Sequence, residues 1–515
     1  MVLPLNLQAS QQLTFTPVYL FLCFLLFSAS LFVLIRSFNN GADKKTTSNN
    51  RPPSPPAVAI IGNLHQLGKL PHRSLQALSA KYGPVMLLRL GQVPTLVISS
   101  ADMAREVMKT HDIIFSNRSR PTAVHFFLNG FIDVAFAPYG EYWRQTRKIC
   151  VVELLSVLRV QSFQYVRKEE VDILVNKLRV LSGNRSSVNL SQLLLEVTNN
   201  IIARCVLGRK CEGEGGKIGF GEFFGDWFPC LGWIDVITGL TSRLKHTFRE
   251  MDDYFNMVIE EHKLSKNDDE TSTNQVIDKK EDFVDILLRV QKDGVLEFNF
   301  TIDDIKAILV DMIVGGTDTT FTTMEWVMAE LLKHPSKMQK VQEEVRRVVG
   351  NKTEIEVEDI NKMDYLKCVI KETLRLYPPI AFLLPRETFA SAELCSFHIP
   401  PKTRVLVNAW AIQRDPKFWD NPHEFVPERF IHSSVDFKGQ DFQFIPFGAG
   451  RRGCPGTAFG VAAVENVIAN LIHWFDWELL HGTTFEDLDM HEVYGLTINK
   501  KVALTHVIPV LSPSS

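Results

Sequence analysis

The 515-residue chain lacks a cysteine framework. Its eight cysteines stand at 23, 150, 205, 211, 230, 368, 395 and 454, irregularly spaced and with no C-x-x-C pair. Such spacing argues against a disulfide scaffold and for a reducing compartment. The sequons at Asn117, Asn184, Asn189, Asn299 and Asn351 then read as chance matches facing the cytosol. An excess of basic charge is also missing: net charge is −3 and the pI about 6.5, so there is no nucleic-acid footprint. No internal repeat is present, and strands do not alternate with helices, which argues against a doubly wound sheet. Tyrosine is scarce beside phenylalanine, 9 against 35. Walls of Phe suit a lipophilic cavity, and they suit a plain apolar core equally well.

One stretch is long and apolar enough to cross a membrane. Val18–Ile35 gives 18 residues without a charge, close to the ~20 that span ~30 Å of hydrocarbon. No Lys or Arg precedes Arg36, whereas Arg36, Lys44, Lys45 and Arg51 follow. A cleaved signal peptide carries its basic residues first. Residues 1–36 therefore read as a retained single anchor, with the body on the cytosolic side. Residues 37–56 read as a hinge, polar NNGADKKTTSNN and then RPPSPP, a stiff spacer that cannot continue a helix. The folded domain is expected over 57–515. Strand-like runs such as VMLLRLGQVPTLVISS (85–100) come early, helical periodicity dominates after them, and the polar insert at 263–282 reads as a mobile surface loop. The expected fold class is mainly α with small β-sheets.

From Thr301 to Pro335 the spacing predicts one long helix of about 33 residues and ~50 Å, N-capped by Thr301. Charges at Asp303, Asp304, Lys306 and Asp311 exclude a second membrane span. In its middle lies Gly315-Gly316-Thr317-Asp318-Thr319-Thr320. Adjacent glycines cost ~1 kcal/mol each in a helix interior, and Thr and Asp compete with the backbone ladder. Close packing against a crossing helix explains a Gly-Gly pair by itself. The Asp-Thr pair adds a break where a diatomic or water could sit beside a proton-delivering hydroxyl.

Two charged sets stand in apolar surroundings. Glu372 and Arg375 lie three apart on one helical face, and PERF supplies Glu428 and Arg429. A buried Arg–carboxylate cluster is costly unless complete, so it usually fixes a geometry. Trp143 and Arg147 are four apart, both donors only, and side by side they want a shared anionic acceptor.

The loop FIPFGAGRRGCPGTAFG (444–460) fits two patterns. Gly448-x-Gly450-x-x-Gly453 matches a dinucleotide turn, but Arg451-Arg452 interrupts it, Cys454-Pro455 follows, and no second strand of a nucleotide-binding half appears. As a metal loop it has one cysteine, which excludes a four-cysteine site. Its glycines permit tight turning and close approach of backbone to a flat cofactor, and the next helix presents its positive end to a thiolate. A single thiolate suits haem iron.

Phe447-x-x-Gly450-x-Arg452-x-Cys454-x-Gly456 resembles the haem-binding loop of the cytochromes P450. The Gly-Gly-Thr-Asp-Thr-Thr stretch resembles their oxygen-activating helix, and Glu372, Arg375 and Arg429 resemble their structural triad. The Pro-rich hinge, WAIQRDPKFW, PERF and PFGAGRRGCPG together are similar to the A-type plant P450s of specialised metabolism. The resemblance covers essentially the whole chain; one departure is Gly315, where the family more often has Ala. It implies the cytochrome P450 fold, heme b with Cys454 as axial thiolate to its iron, and propionates paired with Trp143, Arg147, Arg386 and Arg452. Phe447, Gly450 and Gly456 would shape the loop. Asp318 and Thr319 would deliver protons during dioxygen activation, while Glu372, Arg375 and Arg429 are structural.

The resemblance also implies substrate contacts from Phe115–Phe136, Val310–Val314, Ile380–Leu384 and Tyr494–Thr497, overwhelmingly apolar segments. Lacking a flavin or NADPH motif of its own, the chain would take electrons from a membrane-bound NADPH–cytochrome P450 reductase. Arg144, Lys148 and Arg451 are candidate contacts for it. The implied activity is O2-dependent oxidation of a small lipophilic metabolite (terpenoid, alkaloid or phenolic/coumarin) by a single-pass protein of the endoplasmic reticulum membrane. A P450-type oxidative cyclase, isomerase or dehydratase is the alternative. Retention of Asp318 and Thr319 argues against forms that need no external oxygen, and the complete residue set argues against a haem sensor.

Overall fold

The computed structural model describes residues 23–30, 50–127, 130–210, 224–271, 280–294, 296–479, 484–505 and 507–512. Most of the expected anchor lies outside them; residues 23–30 are helical, and among the described residues no helix is long and apolar enough to cross a membrane. Helices dominate the body: α1 (Pro71–Tyr82), α2 (Glu141–Ile149), α3 (Gln164–Gly183), α4 (Leu190–Leu207), α5 (Leu240–Thr271), α6 (Phe283–Asp293), α7 (Ile302–Lys333), α8 (Pro335–Val349), α9 (Asp364–Leu376) and α10 (Thr457–Trp474). The largest sheet has five short strands in the order β1 (Val85–Leu90), β2 (Val93–Ile98), β7 (Arg404–Val407), β4 (Arg386–Glu387) and β3 (Asn117–Arg118). Only β2 and β7 in it run parallel, with Thr95 opposite Arg404. Three two-stranded sheets complete the set: β5 (Ala392–Leu394) with β6 (Phe397–Ile399), β8 (Phe475–Leu479) with β11 (Val507–Leu511), and β9 (Glu492–Tyr494) with β10 (Ile498–Lys500).

Helix α7 organises the body. It opens with a capping box, Thr301 accepting from the Asp304 amide and Asp304 from the Thr301 amide. It stops at His334 because Pro335 follows, and that proline opens α8. Every residue from Thr320 to Leu332 is buried, so this half is enclosed on all sides and shows no single apolar stripe. The expected break at 315–320 is absent. Instead the Thr319 and Thr323 hydroxyls donate to the carbonyls of Gly315 (2.6 Å) and Thr319 (2.8 Å), joining the helical ladder. The adjacent glycines have opposite surroundings. A Cβ on Gly316 would lie 2.8 Å from Ile202 Cδ1 of α4, whereas one on Gly315 would meet nothing within 4 Å. Gly316 lets two helices cross; Gly315 opens on a cavity.

The insert at 263–282 is only partly as expected, because α5 continues to Thr271. Lys263, Leu264, Lys266 and Glu270 are good helix formers while Asn267, Asp268, Asp269 and Thr271 are not, so mixed composition did not show that the long helix runs on through them. The chain is described again from Lys280, and Asp282 caps α6 through the Asp285 amide.

Glu372 and Arg375 on α9 are fully buried and bidentate, at 2.8 and 2.9 Å. Arg429 Nε donates to the same carboxylate at 3.0 Å, as does the Val426 amide at 2.8 Å. Arg375 also donates to the carbonyls of Gln413, Pro422 and Glu424. Glu428 does not join this knot; its carboxylate turns to Lys337, Lys340 and Tyr365. Gln413 passes the connection on, donating to the Leu374 and Arg375 carbonyls and accepting from the Ile445 amide. In this way α9 holds the segment that leads into the Cys454 loop.

Candidate active site

Between α7 and residues 446–456 lies a cavity of about 790 Å³. Gly315, Asp318 and Thr319 of α7 line it, as do Phe447, Gly448, Gly453, Cys454 and Gly456. Residues 380–386 and 494–498 line the sides, and most of the segments expected to touch substrate contribute. Phe115 does not; it is wholly buried in the core below β3.

The Cys454 loop owes its course to positive φ at Gly448 and Gly450, both 69°. A Cβ on Gly450 would stand 2.0 Å from the Met108 carbonyl oxygen, so this glycine is required by backbone and not by the cavity, which it does not line. The Cys454 amide closes the turn on the Phe447 carbonyl at 2.9 Å. The Cys454 sulfur is open to the cavity while protein surrounds it. Burial pushes its thiol up, opposed by the Gly456 amide, the Thr457 hydroxyl and the Arg147 guanidinium. Helix α10 begins at Thr457 and turns its positive end toward the sulfur.

Beside this loop four guanidinium groups converge. Arg452 donates to the carbonyls of Ser116 and Ala137 and stacks on Trp143 at 4.1 Å. Arg147 donates to Gly453 O at 2.6 Å, and Arg386 to Phe115 O and Ala449 O at 3.3 Å each. Arg118, which no spacing pattern singled out, donates to Ala135 O and Leu384 O. All four line the cavity. Burial pushes Arg452 down to about 9 and Arg386 to about 10, and burial followed by repulsion from Arg386 and Arg452 holds Arg118 well below the ordinary guanidinium range. Trp143 does not line the cavity; its indole donates to the Val134 carbonyl at 3.0 Å.

Two acidic residues missed in the sequence brace the same region. Asp311 Oδ2 accepts from the Val134 and Ala135 amides at 2.7 and 3.2 Å, and Asp133 Oδ2 from the Phe136 amide at 2.6 Å. Burial pushes Asp133 up to about 6, and burial beside Asp133 pushes Asp311 well above the carboxylate range. Neither sits in a sequence pattern that would reveal a contact reaching from 133 to 311. Asp318 accepts a hydrogen bond from Thr497, again a partner distant in sequence. Of the basic residues considered for a redox partner, Arg144 pairs with Glu141 and Arg451 with Asp112, while Lys148 is exposed.

These features fit a haem. A lone cysteine sulfur faces the cavity, Gly315 leaves space on it, and three buried cations with half-buried Arg147 call for an anionic group such as a pair of propionates. The comparisons agree. The cytochrome P450 family model matches residues 52–506, so the chain belongs to the cytochrome P450 family and is a monooxygenase of that family. Phenylacetaldehyde oxime monooxygenase of Prunus mume is 52% identical, over 94% of this chain and 93% of its own length. Strychnine-11-hydroxylase of Strychnos nux-vomica is 44% identical, over 94% and 95%. A zebra fish cytochrome P450 solved with progesterone superposes with a TM-score of 0.71 at 26% identity, covering 85% of this chain and 99% of that one. The relatives place the chain among the plant A-type P450s, and membership implies a haem-thiolate iron, a redox partner, dioxygen and a small-molecule substrate.

Proposed function

We propose that this protein oxidises a small lipophilic plant specialised metabolite, of the terpenoid, alkaloid or phenolic class, held over the haem in the 790 Å³ cavity. The observation that carries the reading is that Cys454 and the Gly315–Thr319 stretch line one and the same largely apolar cavity. Bound haem, ligated by Cys454, supplies the oxygen-activating chemistry. Arg118, Arg147, Arg386 and Arg452 hold its propionates, and Trp143 backs Arg452. Asp318 and Thr319 move protons toward the haem face: the Thr319 hydroxyl rests on the Gly315 carbonyl and stands ready to donate when a ligand competes for it. Electrons come from NADPH through a cytochrome P450 reductase. Residues 1–36 anchor the chain in the endoplasmic reticulum membrane, 37–56 form the hinge, and 57–515 form the catalytic domain in the cytosol.

The test is co-expression with a plant reductase and untargeted product detection against a panel including aromatic aldoximes, indole alkaloids, terpenoids and coumarins. A product retaining one oxygen atom from labelled O2 supports the reading. A rearranged or dehydrated product without labelled oxygen would establish the isomerase or dehydratase alternative instead. Cys454→Ser is expected to abolish the thiolate band of the reduced, carbon monoxide-bound protein; a surviving band would put the ligand elsewhere.

A further inference from the structure

Asp318 is held from outside its own helix. On α7, Asp318, Thr322 and Trp326 recur every four residues and so form one stripe. The chain entering β10 lies along that stripe. Thr497 Oγ1 donates to Asp318 Oδ2 at 2.5 Å, Asn499 Nδ2 donates to Thr497 Oγ1 at 3.0 Å, and Thr322 Oγ1 donates to Asn499 Oδ1 at 2.7 Å. The Trp326 indole completes the seam on the Ile498 carbonyl at 2.8 Å. Each donation in the chain from Thr322 runs toward the carboxylate, so the groups polarise one another in a single direction. Thr322 and Thr497 are buried, at 0% and 1% exposure, and water does not substitute readily for either.

We infer that Thr497 is a positioning residue for proton delivery: it fixes one oxygen of Asp318 and leaves the other to serve the haem face beside Thr319. This rests on the reading of Asp318 as a proton-delivering acid. The same hairpin supplies Tyr494, Leu496 and Thr497 to the cavity wall, so a substrate pressing on it acts directly on the group that holds the acid.

The test uses the full-length holoenzyme with reductase and NADPH, comparing Thr497→Val, Thr497→Ser and Asp318→Asn. Three quantities are read: the rate of NADPH oxidation, its solvent isotope effect, and the infrared stretch of carbon monoxide on the reduced protein. Thr497→Val keeps the side-chain shape and is expected to slow NADPH oxidation about tenfold, the factor carried by one hydrogen bond to a charged group. It should also raise the isotope effect and shift the stretch, and Thr497→Ser should restore all three. If Asp318→Asn alters these readouts while Thr497→Val matches the parent, the positioning role is overturned and the acid's role stands. If Asp318→Asn itself matches the parent, the underlying reading fails. A Thr497→Val defect that serine does not rescue and that leaves isotope effect and stretch unchanged is a packing effect, and overturns the inference as well.

Discussion

Two buried arginine clusters in this protein are built on opposite principles. Around α9, Arg375 and Arg429 share the Glu372 carboxylate, and every remaining Arg375 donor finds a carbonyl. Beside the Cys454 loop, Arg118, Arg147, Arg386 and Arg452 donate, among the described residues, to backbone carbonyls alone. Asp112 lies a loose 3.8 Å from Arg386 and pairs at 3.0 Å with Arg451, outside the cluster. The first cluster is neutralised within the chain and fixes the fold. The second has no close carboxylate partner among the described residues, which supports the proposed pairing with an anionic ligand. A buried charge is stable only when compensated, so where compensation is missing within the chain the cofactor's anions are the natural partners.

The sharpest way to break this contrast is to cut the closed cluster. Arg375→Ala leaves the buried Glu372 carboxylate to Arg429 and the Val426 amide alone and frees three carbonyls; it should cost about 3–5 kcal/mol, read as a lowered urea midpoint, and a loss below about 1 kcal/mol would show the cluster to be no more than a surface-like pair. Next in size is a lone carboxyl on the closed side. Glu465 on α10 is pushed from 4.5 up to about 7 by burial, with Lys367 and Lys371 only partly opposing. The folded state keeps a proton that the unfolded chain releases between 4.5 and 7. Its contribution is therefore intact below 4.5 and lost as pH rises through about 7. Glu465→Gln should flatten that part of the stability profile by about 3 kcal/mol, measured as unfolding midpoint against pH.

The open cluster should respond differently. Arg147→Ala removes one of several like charges and a single carbonyl contact, so apoprotein stability should change by less than about 1 kcal/mol while haem is released about tenfold more readily. Equal losses in both measurements would make the cluster structural, like its counterpart. The smallest effect separates the two glycines. Gly315→Ala should stabilise α7 by about 0.5–1 kcal/mol because nothing opposes a methyl there. Gly316→Ala should destabilise by about 1 kcal/mol or more by pressing on Ile202. Thermal unfolding of both variants reads the difference in sign.

Much of this was legible along the chain because the relevant groups are neighbours in sequence. Thr301 and Asp304, Glu372 and Arg375, and the glycines around Cys454 act within one turn or one loop, so helical spacing and φ preferences expose them. The insert at 263–282 was misjudged where composition fits both an exposed helix and a loop. Glu428, adjacent to Arg429, went to a different cluster because a single turn of 3₁₀ helix points consecutive side chains apart.

The sequence alone determined the glycine-rich loop around a single cysteine, the mainly helical class and the long central helix, since each depends on local backbone preference and on residue types at short spacing. Only tertiary structure decided that Arg118 joins the open cluster, that Asp311 braces residues 134 and 135, that Gly316 faces Ile202 while Gly315 faces the cavity, and that Thr497 holds Asp318. Those pairings join elements up to hundreds of residues apart. Their geometry comes from how α7 is packed within the body, which no local pattern encodes.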